Sequence, residues 1–333
     1  MTQNQPMRRR VLLAVACGAM LVCAGPTMAQ KYPDHVIRIV SVASPGTSID
    51  DYTRLLAKFL GERLGQSVVV ENRPGANMIL ASDAVAKSAP DGYTLLLTAS
   101  SAMSANPFLY RKLPYNPSKD FVPVARMSTL PVALVVPEQS PYKSVADLVA
   151  AARAKPGVIN GGSSSTGYRL MSAAFNEAAG IKTTDVPYKS TAGLLPDLVG
   201  GQVDYSMVEF GAAYTLVQSK KLRALAVLSP NRVPLLPDVP TLSEAEMLNA
   251  GLMAAVSRTN WSGLFAPAGT PAAIVERIGK LTIEFVNSPD AQKHYTARGS
   301  LANPGTGAEL GASVQADQKI WQKMIAVAGI QRE

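Results

Sequence analysis

The feature that most constrains this chain is a regular alternation of short, strand-like apolar runs with longer amphipathic segments. A β-branched run at 36–42 precedes apolar residues at helical spacing over 49–64, and a strand-like run follows at 67–70. A helix at 79–86 and a buried strand at 93–98 continue the pattern. Repeated β-α-β units favour a parallel sheet with helices on both faces, so the sequence predicts an α/β fold.

A second α/β series follows the first. Its strands are predicted at 132–136, 158–160, 185–188, 203–207 and 222–228, with helices at 145–154, 168–179 and 192–199 and one more between the last two strands. A strand at 261–266 and two long amphipathic helices, 271–287 and 308–328, complete the pattern. Two such series exceed what one core usually holds, so we expect two lobes.

We expect the chain to pass between the lobes twice, near 127–130 and near 254–260. The last helices would then return to cover the first lobe. The predicted limits are 30–128 plus 255–333 for lobe 1 and 129–254 for lobe 2. Two crossing strands form a hinge, and a hinge between two α/β lobes creates a cleft.

The first 29 residues are predicted to be a cleaved secretory signal rather than part of the fold. Arg8, Arg9 and Arg10 precede an apolar run at 11–22, and small residues lie at the two positions that a signal peptidase reads before residue 30. The apolar run is shorter than the roughly 20 residues of a spanning helix. We therefore expect export to the periplasm.

Two alternatives for this segment remain open. Arg8-Arg9 also fits a twin-arginine address. Cys23 would suit a lipoprotein, although Val22 before it is not the small residue that such processing prefers. Cleavage after residue 29 would remove both cysteines, which excludes disulfides, thiolate metal sites and cysteine nucleophiles. It would also remove three arginines and no acid, so the net charge falls from +8 to +5.

The sequence offers little catalytic apparatus. Its two histidines are His35, before the first strand, and His294, in a polar helical stretch. There is no Gly-x-Ser-x-Gly elbow, no lysine-containing phosphate loop, no dinucleotide fingerprint and no metal-spaced cluster. We expect no enzymatic activity, no cofactor and no metal. The basic residues form no stripe, which argues against nucleic-acid binding, although a mild positive field would attract small anions.

Two loops share a structural feature that suits anion binding. Residues 43–48 (ASPGTS) join the first strand to the helix at 49, and 161–167 (GGSSSTG) precede the helix that carries Arg169. A Gly/Ser/Thr loop at a helix N-terminus offers backbone N–H groups, hydroxyls and the positive end of a helix dipole. One such loop on each lobe, at the carboxyl ends of strands, suits a ligand with two anionic ends.

Each loop also has a simpler interpretation. Thr47 or Ser48 would serve only as an N-cap. Ser100, after the strand at 93–98, could add a hydroxyl to the cleft or belong only to the fold. Arg169 lies in a first helical turn, where the dipole is unfavourable for a cation unless an anion or acid offsets it. It is a candidate ligand clamp, or it faces solvent.

Seven blocks of sequence point to a known family. They are 69–76 (VVENRPGA), 89–95 (APDGYTL), 186–189 (VPYK), 200–204 (GGQVD), 221–227 (KLRALAV), 236–241 (LPDVPT) and 266–271 (APAGTP). With these blocks in order, the mature chain closely resembles the Bug-type solute-binding proteins of tripartite tricarboxylate transporters. Those proteins are periplasmic receptors with a two-lobed class II periplasmic binding protein fold.

The resemblance implies capture of a small carboxylate, often a dicarboxylate, and its delivery to the membrane permease subunits of such a transporter. It implies a monomer that holds its ligand through loop backbone and hydroxyl groups, partly through water. Carried over to this chain, the loops that contact the ligand would be Ser44 to Ser48 on one lobe and Gly162 to Gly167 on the other.

Departures from the family pattern bear on the ligand. Thr47 replaces a usual glycine, Tyr168-Arg169 stands where Ser-His is common, and 208–211 (VEFG) replaces Asp-Ser-Leu-Pro. Tyr168 and Phe210 could stack on an aromatic carboxylate, whereas Glu209 would repel a carboxylate unless it faces away. The candidate ligand-binding residues are therefore Ser44, Gly46, Thr47, Ser48, Ser100, Gly162, Ser163, Ser164, Ser165, Thr166, Tyr168, Arg169, Glu209 and Phe210.

Two other functions were considered. A sensor subunit that signals to a membrane kinase would use the same cleft, and the sequence does not separate it from a transport receptor. An exported hydrolase is disfavoured because the sequence lacks the usual pairing of a nucleophile with a histidine base.

Overall fold

The structure, a computed structural model, describes residues 32–332, so the predicted signal lies outside the described residues. Its strands are β1 (Ile37–Ser41), β2 (Val68–Asn72), β3 (Thr94–Ala99), β4 (Phe121–Thr129), β5 (Val132–Pro137), β6 (Asn160–Ser163), β7 (Thr184–Pro187), β8 (Tyr205–Glu209), β9 (Leu222–Leu228), β10 (Trp261–Pro267) and β11 (Leu301–Thr306). Its helices are α1 (Ser48–Leu64), α2 (Ile79–Ala86), α3 (Ser100–Ser104), α4 (Asn106–Leu109), α5 (Val145–Ala154), α6 (Thr166–Ala179), α7 (Thr191–Val199), α8 (Phe210–Gln218), α9 (Ala250–Ser257), α10 (Ala272–Asn287), α11 (Pro289–Ala297) and α12 (Gly307–Val327). Short 3₁₀ turns lie at Ala76–Met78 and Leu242–Glu244.

Local capping signals set several helix boundaries. α1 begins after Thr47, whose side chain accepts a hydrogen bond from a first-turn amide, and ends at Gly65 in the left-handed conformation. α5 begins with a reciprocal capping box between Ser144 and Asp147. These polar residues satisfy backbone groups that a helix end leaves without an intrahelical partner.

The strands form two mixed sheets. The six-stranded sheet has the order β11-β4-β10-β3-β1-β2, and the five-stranded sheet has the order β7-β6-β8-β5-β9. Strands β1, β2 and β3 are parallel, but β10 runs antiparallel to β3 and β4, and β11 runs antiparallel to β4. The expectation of a parallel sheet is therefore right only for part of each sheet, because β4, β10 and β5 join the sheets without a crossover helix of their own.

The chain passes between the two sheets at adjacent segments. β4 ends in the six-stranded sheet at Thr129, and β5 begins in the five-stranded sheet at Val132. On the return, Asn260 precedes β10, its side chain donates to the carbonyl of Leu130 at 2.5 Å, and its carbonyl accepts from the Leu130 amide at 2.9 Å. Helix α9 extends to Ser257, so the return passage is shorter than expected. We retain the predicted lobe limits as a proposal.

Helix α12 contributes to both halves of the fold. Its Leu310 and Val314 pack with Phe265 against the six-stranded sheet. Its Trp321, Met324 and Ile325 belong instead to the core that holds Phe175 and Met207. The last helices were expected to cover the first lobe, and α12 reaches the second core as well. Each fully buried large side chain contributes about 1.5–3 kcal/mol to folding.

Strand β6 lies later in the chain than the predicted strand at 158–160. It includes Gly161 and Gly162, which had been assigned to the second loop, and it pairs in parallel with β7 and β8. A Cβ at Gly161 would lie 2.6 Å from the Tyr205 ring, and one at Gly162 would lie 2.3 Å from Leu194 Cδ1. These glycines permit close packing within the sheet, and the second loop shrinks to Ser164 and Ser165.

Across residues 32–332, none of the helices has both the length and the apolar character required to cross a bilayer.

Candidate functional site

The loop before α1 is held from behind by Asp50. One oxygen of its carboxylate accepts from the Gly46 amide at 2.9 Å, and the other accepts from Asn72 Nδ2 at 2.7 Å. Asn72 Nδ2 also donates to the Ala43 carbonyl at 3.0 Å, and Arg54 Nε donates to Asp50 at 3.0 Å. Burial acts to raise the pKa of Asp50, but these hydrogen bonds outweigh it, so the pKa lies below its usual value. The loop is thus fixed around an ionised carboxylate.

The loop uses some of its own polar groups. The Ser44 carbonyl accepts from the amide of Thr47 at 3.3 Å and from its hydroxyl at 2.8 Å. Thr47 is the N-cap of α1, which is the simpler of its two predicted roles. The amide of Gly46 is engaged by the carboxylate behind the loop. By helix geometry, the donors left for a ligand are the first-turn amides at Ser48 and Ile49.

Glu209 extends from the five-stranded sheet to the start of α1. It is the last residue of β8, and its carboxyl faces the hydroxyl of Ser48, whose oxygen would lie 3.8 Å from a Cβ at Gly211. The Tyr168 phenol lies beside the backbone of Glu209. Burial raises the pKa of the Glu209 carboxyl, although the Ser48 hydroxyl acts against the shift. Three predicted residues from α1, α6 and β8 therefore meet at one place between the sheets.

Tyr52 lies beneath this meeting point and was not predicted as a site residue. Its side chain is fully buried, and its hydroxyl lies 3.5 Å from Ser128 Oγ, which is 2.7 Å from Ser262 Oγ. Burial raises the pKa of Tyr52, the two serine hydroxyls lower it, and the charge of Glu209 raises it further. The sequence placed Tyr52 only on the apolar face of a helix, since an aromatic residue there is typical of a core.

The hydroxyls of the second loop have protein partners. Ser163 Oγ donates to Asp185 at 2.6 Å, and the hydroxyls of Ser164 and Thr191 lie 2.9 Å apart. Ser165 is the N-cap of α6 and accepts from an amide in its first turn. These contacts fix the conformation of the loop. Tyr168 follows the loop in the first turn of α6.

Arg169 has an acidic partner within its own half of the fold. Its Nε lies 3.2 Å from Asp185 Oδ2, and its side chain is half exposed. It lines a cavity of about 540 Å³ together with Ser172, Asn176 and Tyr205. In this structure, Asp185 is the acid that offsets the unfavourable position of Arg169 in the first turn of α6.

Three further predicted residues lie in the framework of the site. Ser100 is the buried first residue of α3, and Thr166 is the first residue of α6. The Phe210 side chain is 1% exposed, and its ring stacks on Tyr214 with centroids 5.6 Å apart. Phe210 therefore presents no exposed face on which a ligand could stack.

The two halves also meet through two glycines that were not among the candidate site residues. A Cβ at Gly211, in the first turn of α8, would lie 2.4 Å from the carbonyl oxygen of Arg298. A Cβ at Gly299, which has φ = +70°, would lie 2.6 Å from the Phe210 ring. Arg298 also forms an ion pair with Asp51 on α1. Gly211 ends the 208–211 block and Gly299 belongs to no block, and only the tertiary structure shows that the two are close together.

A larger cavity lies away from this meeting point. It measures about 960 Å³ and is lined largely by apolar residues of β4, α10 and α12, among them Phe121, Val275 and Ala312. None of the predicted site residues lines it. The residues that line this cavity all belong to the six-stranded half of the fold. No cluster of potential metal ligands occurs within the described part of the chain.

The meeting point offers a defined set of polar groups. It combines the N-terminus of α1, the Ser48 hydroxyl, the Tyr168 phenol and the Glu209 carboxyl. The helix terminus and the hydroxyls suit a carboxylate, whereas Glu209 suits a hydrogen-bond donor or a cation. Such an arrangement can bind and orient a small polar molecule.

Comparison with protein families gives a match to the tripartite tricarboxylate transporter family receptor over residues 52–329. A protein encoded in the tcbD-tcbE intergenic region of Pseudomonas sp. (strain P51) is 35% identical over 323 residues, which is 96% of this chain and 94% of that protein. BugT of Bordetella pertussis is 33% identical over 324 residues, covering 96% of this chain and 97% of BugT.

Solved structures show the same similarity. R. palustris Rpa4515 with adipate has a TM-score of 0.78 and 31% identity, covering 91% of this chain and 100% of that one. MatC of Rhodopseudomonas palustris with bound malate has a TM-score of 0.72 and 29% identity, covering 88% and 100%. The expected two-lobed periplasmic binding protein fold and the resemblance to Bug-type receptors are confirmed.

Proposed function

The chain belongs to the tripartite tricarboxylate transporter receptor family, and we propose that it captures a small carboxylate between its two lobes and delivers it to the permease subunits of such a transporter. The family consists of periplasmic solute-binding receptors rather than enzymes, which implies a periplasmic location. We propose that residues 1–29 direct this export and that the receptor acts as a monomer.

The contact between Ser48 and Glu209 carries the proposal for the site. It joins the N-terminus of α1, in the six-stranded half, to the end of β8, in the five-stranded half. A ligand held there would contact both lobes at once, and only a closed cleft allows that. Ligand binding would therefore shift the population towards the closed form.

The ligand class follows from the helix terminus and from the relatives. Charge-assisted hydrogen bonds from the Ser48 and Ile49 amides and from hydroxyls contribute roughly 1.5–3 kcal/mol each. After desolvation and closure, we expect a micromolar dissociation constant, about −8 kcal/mol. Adipate and malate in two related structures make dicarboxylates the first class to test. An aromatic carboxylate is the second class, for which Tyr168 is the remaining stacking candidate.

The test is a thermal-shift screen of the purified protein against aliphatic and aromatic mono-, di- and tricarboxylates, followed by calorimetry. Amines and sugars without a carboxylate serve as the comparison. We expect Ser48→Ala to weaken the best carboxylate by about 10- to 150-fold, which is the loss of one hydrogen bond to a charged group. Ser67→Ala, at an exposed serine, is the matched control.

Two results would contradict the proposal. If sugars or neutral amines stabilise the protein and no carboxylate does, the ligand class is wrong. If Ser48→Ala binds as tightly as Ser67→Ala, the ligand lies elsewhere. Delivery is tested separately, by asking whether the loaded receptor stimulates uptake through the permease in proteoliposomes.

A further inference from the structure

Three arginines on the elements that form the meeting point, or in contact with them, have acidic partners. The three ion pairs are Arg54–Asp50, Arg169–Asp185 and Arg298–Asp51. The first and third brace α1, and the second lies at the start of α6. A ligand that needed one of these guanidinium groups would have to break an existing pair. The charges of these three arginines are thus offset before Glu209 is counted.

Glu209 is an acidic residue of the site that takes part in none of these three ion pairs. None of the ion pairs among residues 32–332 includes it. Its carboxyl lies among the Ser48 hydroxyl, the Tyr168 phenol and the buried Tyr52, all of them neutral groups. A buried carboxyl without a cation is costly to ionise, and the raised pKa of Glu209 agrees with that geometry.

Glu209 also lies at the N-terminus of α1, where the sequence predicts that an anionic ligand binds. It lies beside Ser48 at this terminus, where the helix dipole favours a negative charge. A dicarboxylate in the cleft would bring two negative charges to a site that already holds this acid, and Arg54, Arg169 and Arg298 are already engaged in ion pairs. A ligand with both a carboxylate and a cationic group would make two favourable contacts. Its carboxylate would bind the helix terminus and the hydroxyls, and its cationic group would pair with Glu209.

We propose that Glu209 makes this site select carboxylates that also carry a cationic group, such as an ammonium, over dicarboxylates of the same length. The inference rests on the proposed function, because it assumes that the ligand binds beside Ser48. It names Glu209 as the specificity-determining residue and amino carboxylates as the ligand class.

The experiment compares two molecules that differ only in one end group. Adipate and 5-aminopentanoate have the same four-methylene spacer, and the second replaces one carboxylate by an ammonium. Calorimetry on the purified protein should give a dissociation constant at least about tenfold lower for 5-aminopentanoate. Glu209→Gln, which keeps the shape and removes the charge, should abolish or reverse this preference. Glu246→Gln, at an exposed acid, should leave it unchanged.

The outcomes separate the inference from the proposed function. If adipate binds as tightly as 5-aminopentanoate to the unmodified protein, the inference is wrong and the carboxylate receptor stands. A preference that persists in Glu209→Gln would also overturn it. If Glu209→Gln fails to fold by circular dichroism, the comparison on the unmodified protein decides alone. If neither molecule nor any other carboxylate binds, the proposed function fails and the inference falls with it.

Discussion

Gly211 is the most direct place to test whether the two lobes close on each other as the structure shows. Gly211→Ala adds a single methyl group in the first turn of α8. That methyl would lie 2.4 Å from the carbonyl oxygen of Arg298, which belongs to the other half of the fold. Ordinary contact at such a position begins at 3.4 Å, so the two backbones would have to separate by about 1 Å.

The size of the effect follows from this overlap. Inserting a methyl into a packed contact costs typically 1–3 kcal/mol. Because the clash lies between lobes, the hinge can relieve it by opening, and the cost then falls on the closed form rather than on folding. Binding that requires closure should weaken by about 5- to 150-fold, since about 1.4 kcal/mol corresponds to a factor of ten.

Calorimetry with the best carboxylate from the screen measures this loss, and small-angle scattering should show a larger radius of gyration without ligand. Gly251→Ala is the matched control, because Gly251 is also the second residue of a helix and its nearest neighbour would be a side-chain oxygen at 3.5 Å. If Gly211→Ala keeps the control's affinity and radius of gyration, the contact does not limit closure. A large loss of unfolding free energy with unchanged affinity would also refute the argument.

Three further predictions concern the framework. Burial raises the pKa of Asp317 to about 7, although Trp261 donates to it. Its stabilising effect is therefore present at low pH and lost as the pH rises through about 7. Asp317→Asn should remove a fall of about 2–3 kcal/mol in unfolding free energy between about pH 5 and about pH 8, measured by urea titration, and an unchanged pH profile would contradict this. Asn72→Ala should lower the unfolding free energy by about 1–3 kcal/mol and weaken ligand binding, because the first loop loses its brace; equal affinity by calorimetry would show that the brace is dispensable. Arg169→Ala should change ligand affinity less than about threefold, since Asp185 already engages the guanidinium; a loss above about tenfold would make Arg169 a ligand clamp after all.

Much of the secondary structure could be predicted because local signals agree with the fold. The helix at 145–154 was predicted at its observed limits, since Ser144 and Asp147 form a capping box and the apolar spacing is helical. The strand at 222–228 was likewise predicted at its limits, because every residue except Arg223 is apolar and residues 225–228 are buried.

Other elements depend on tertiary contacts that local sequence does not encode. β6 contains Gly161 and Gly162, which are typical of a loop, yet Tyr205 and Leu194 fill the space that side chains would need. β11 contains a proline and a glycine and pairs irregularly at the edge of its sheet, so it gave no strand signal.

The candidate site divides in the same way. The first loop could be located because a strand end, a Gly-Thr-Ser sequence and a helix start follow one another at 41–48. That the carboxyl of Glu209 meets Ser48 there could not be predicted, because the two residues lie far apart in the chain and in different halves of the fold. Whether a serine hydroxyl faces a ligand or another residue, as Ser163 faces Asp185, also depends on that arrangement.

The position of α12 has a consequence for how the protein is made. Trp321, Met324 and Ile325 complete the core around Phe175, yet the ribosome synthesises them well over a hundred residues after that phenylalanine. The five-stranded half therefore cannot complete its core until α12 has been synthesised. Until then, the apolar surface that α12 covers is exposed to chaperones.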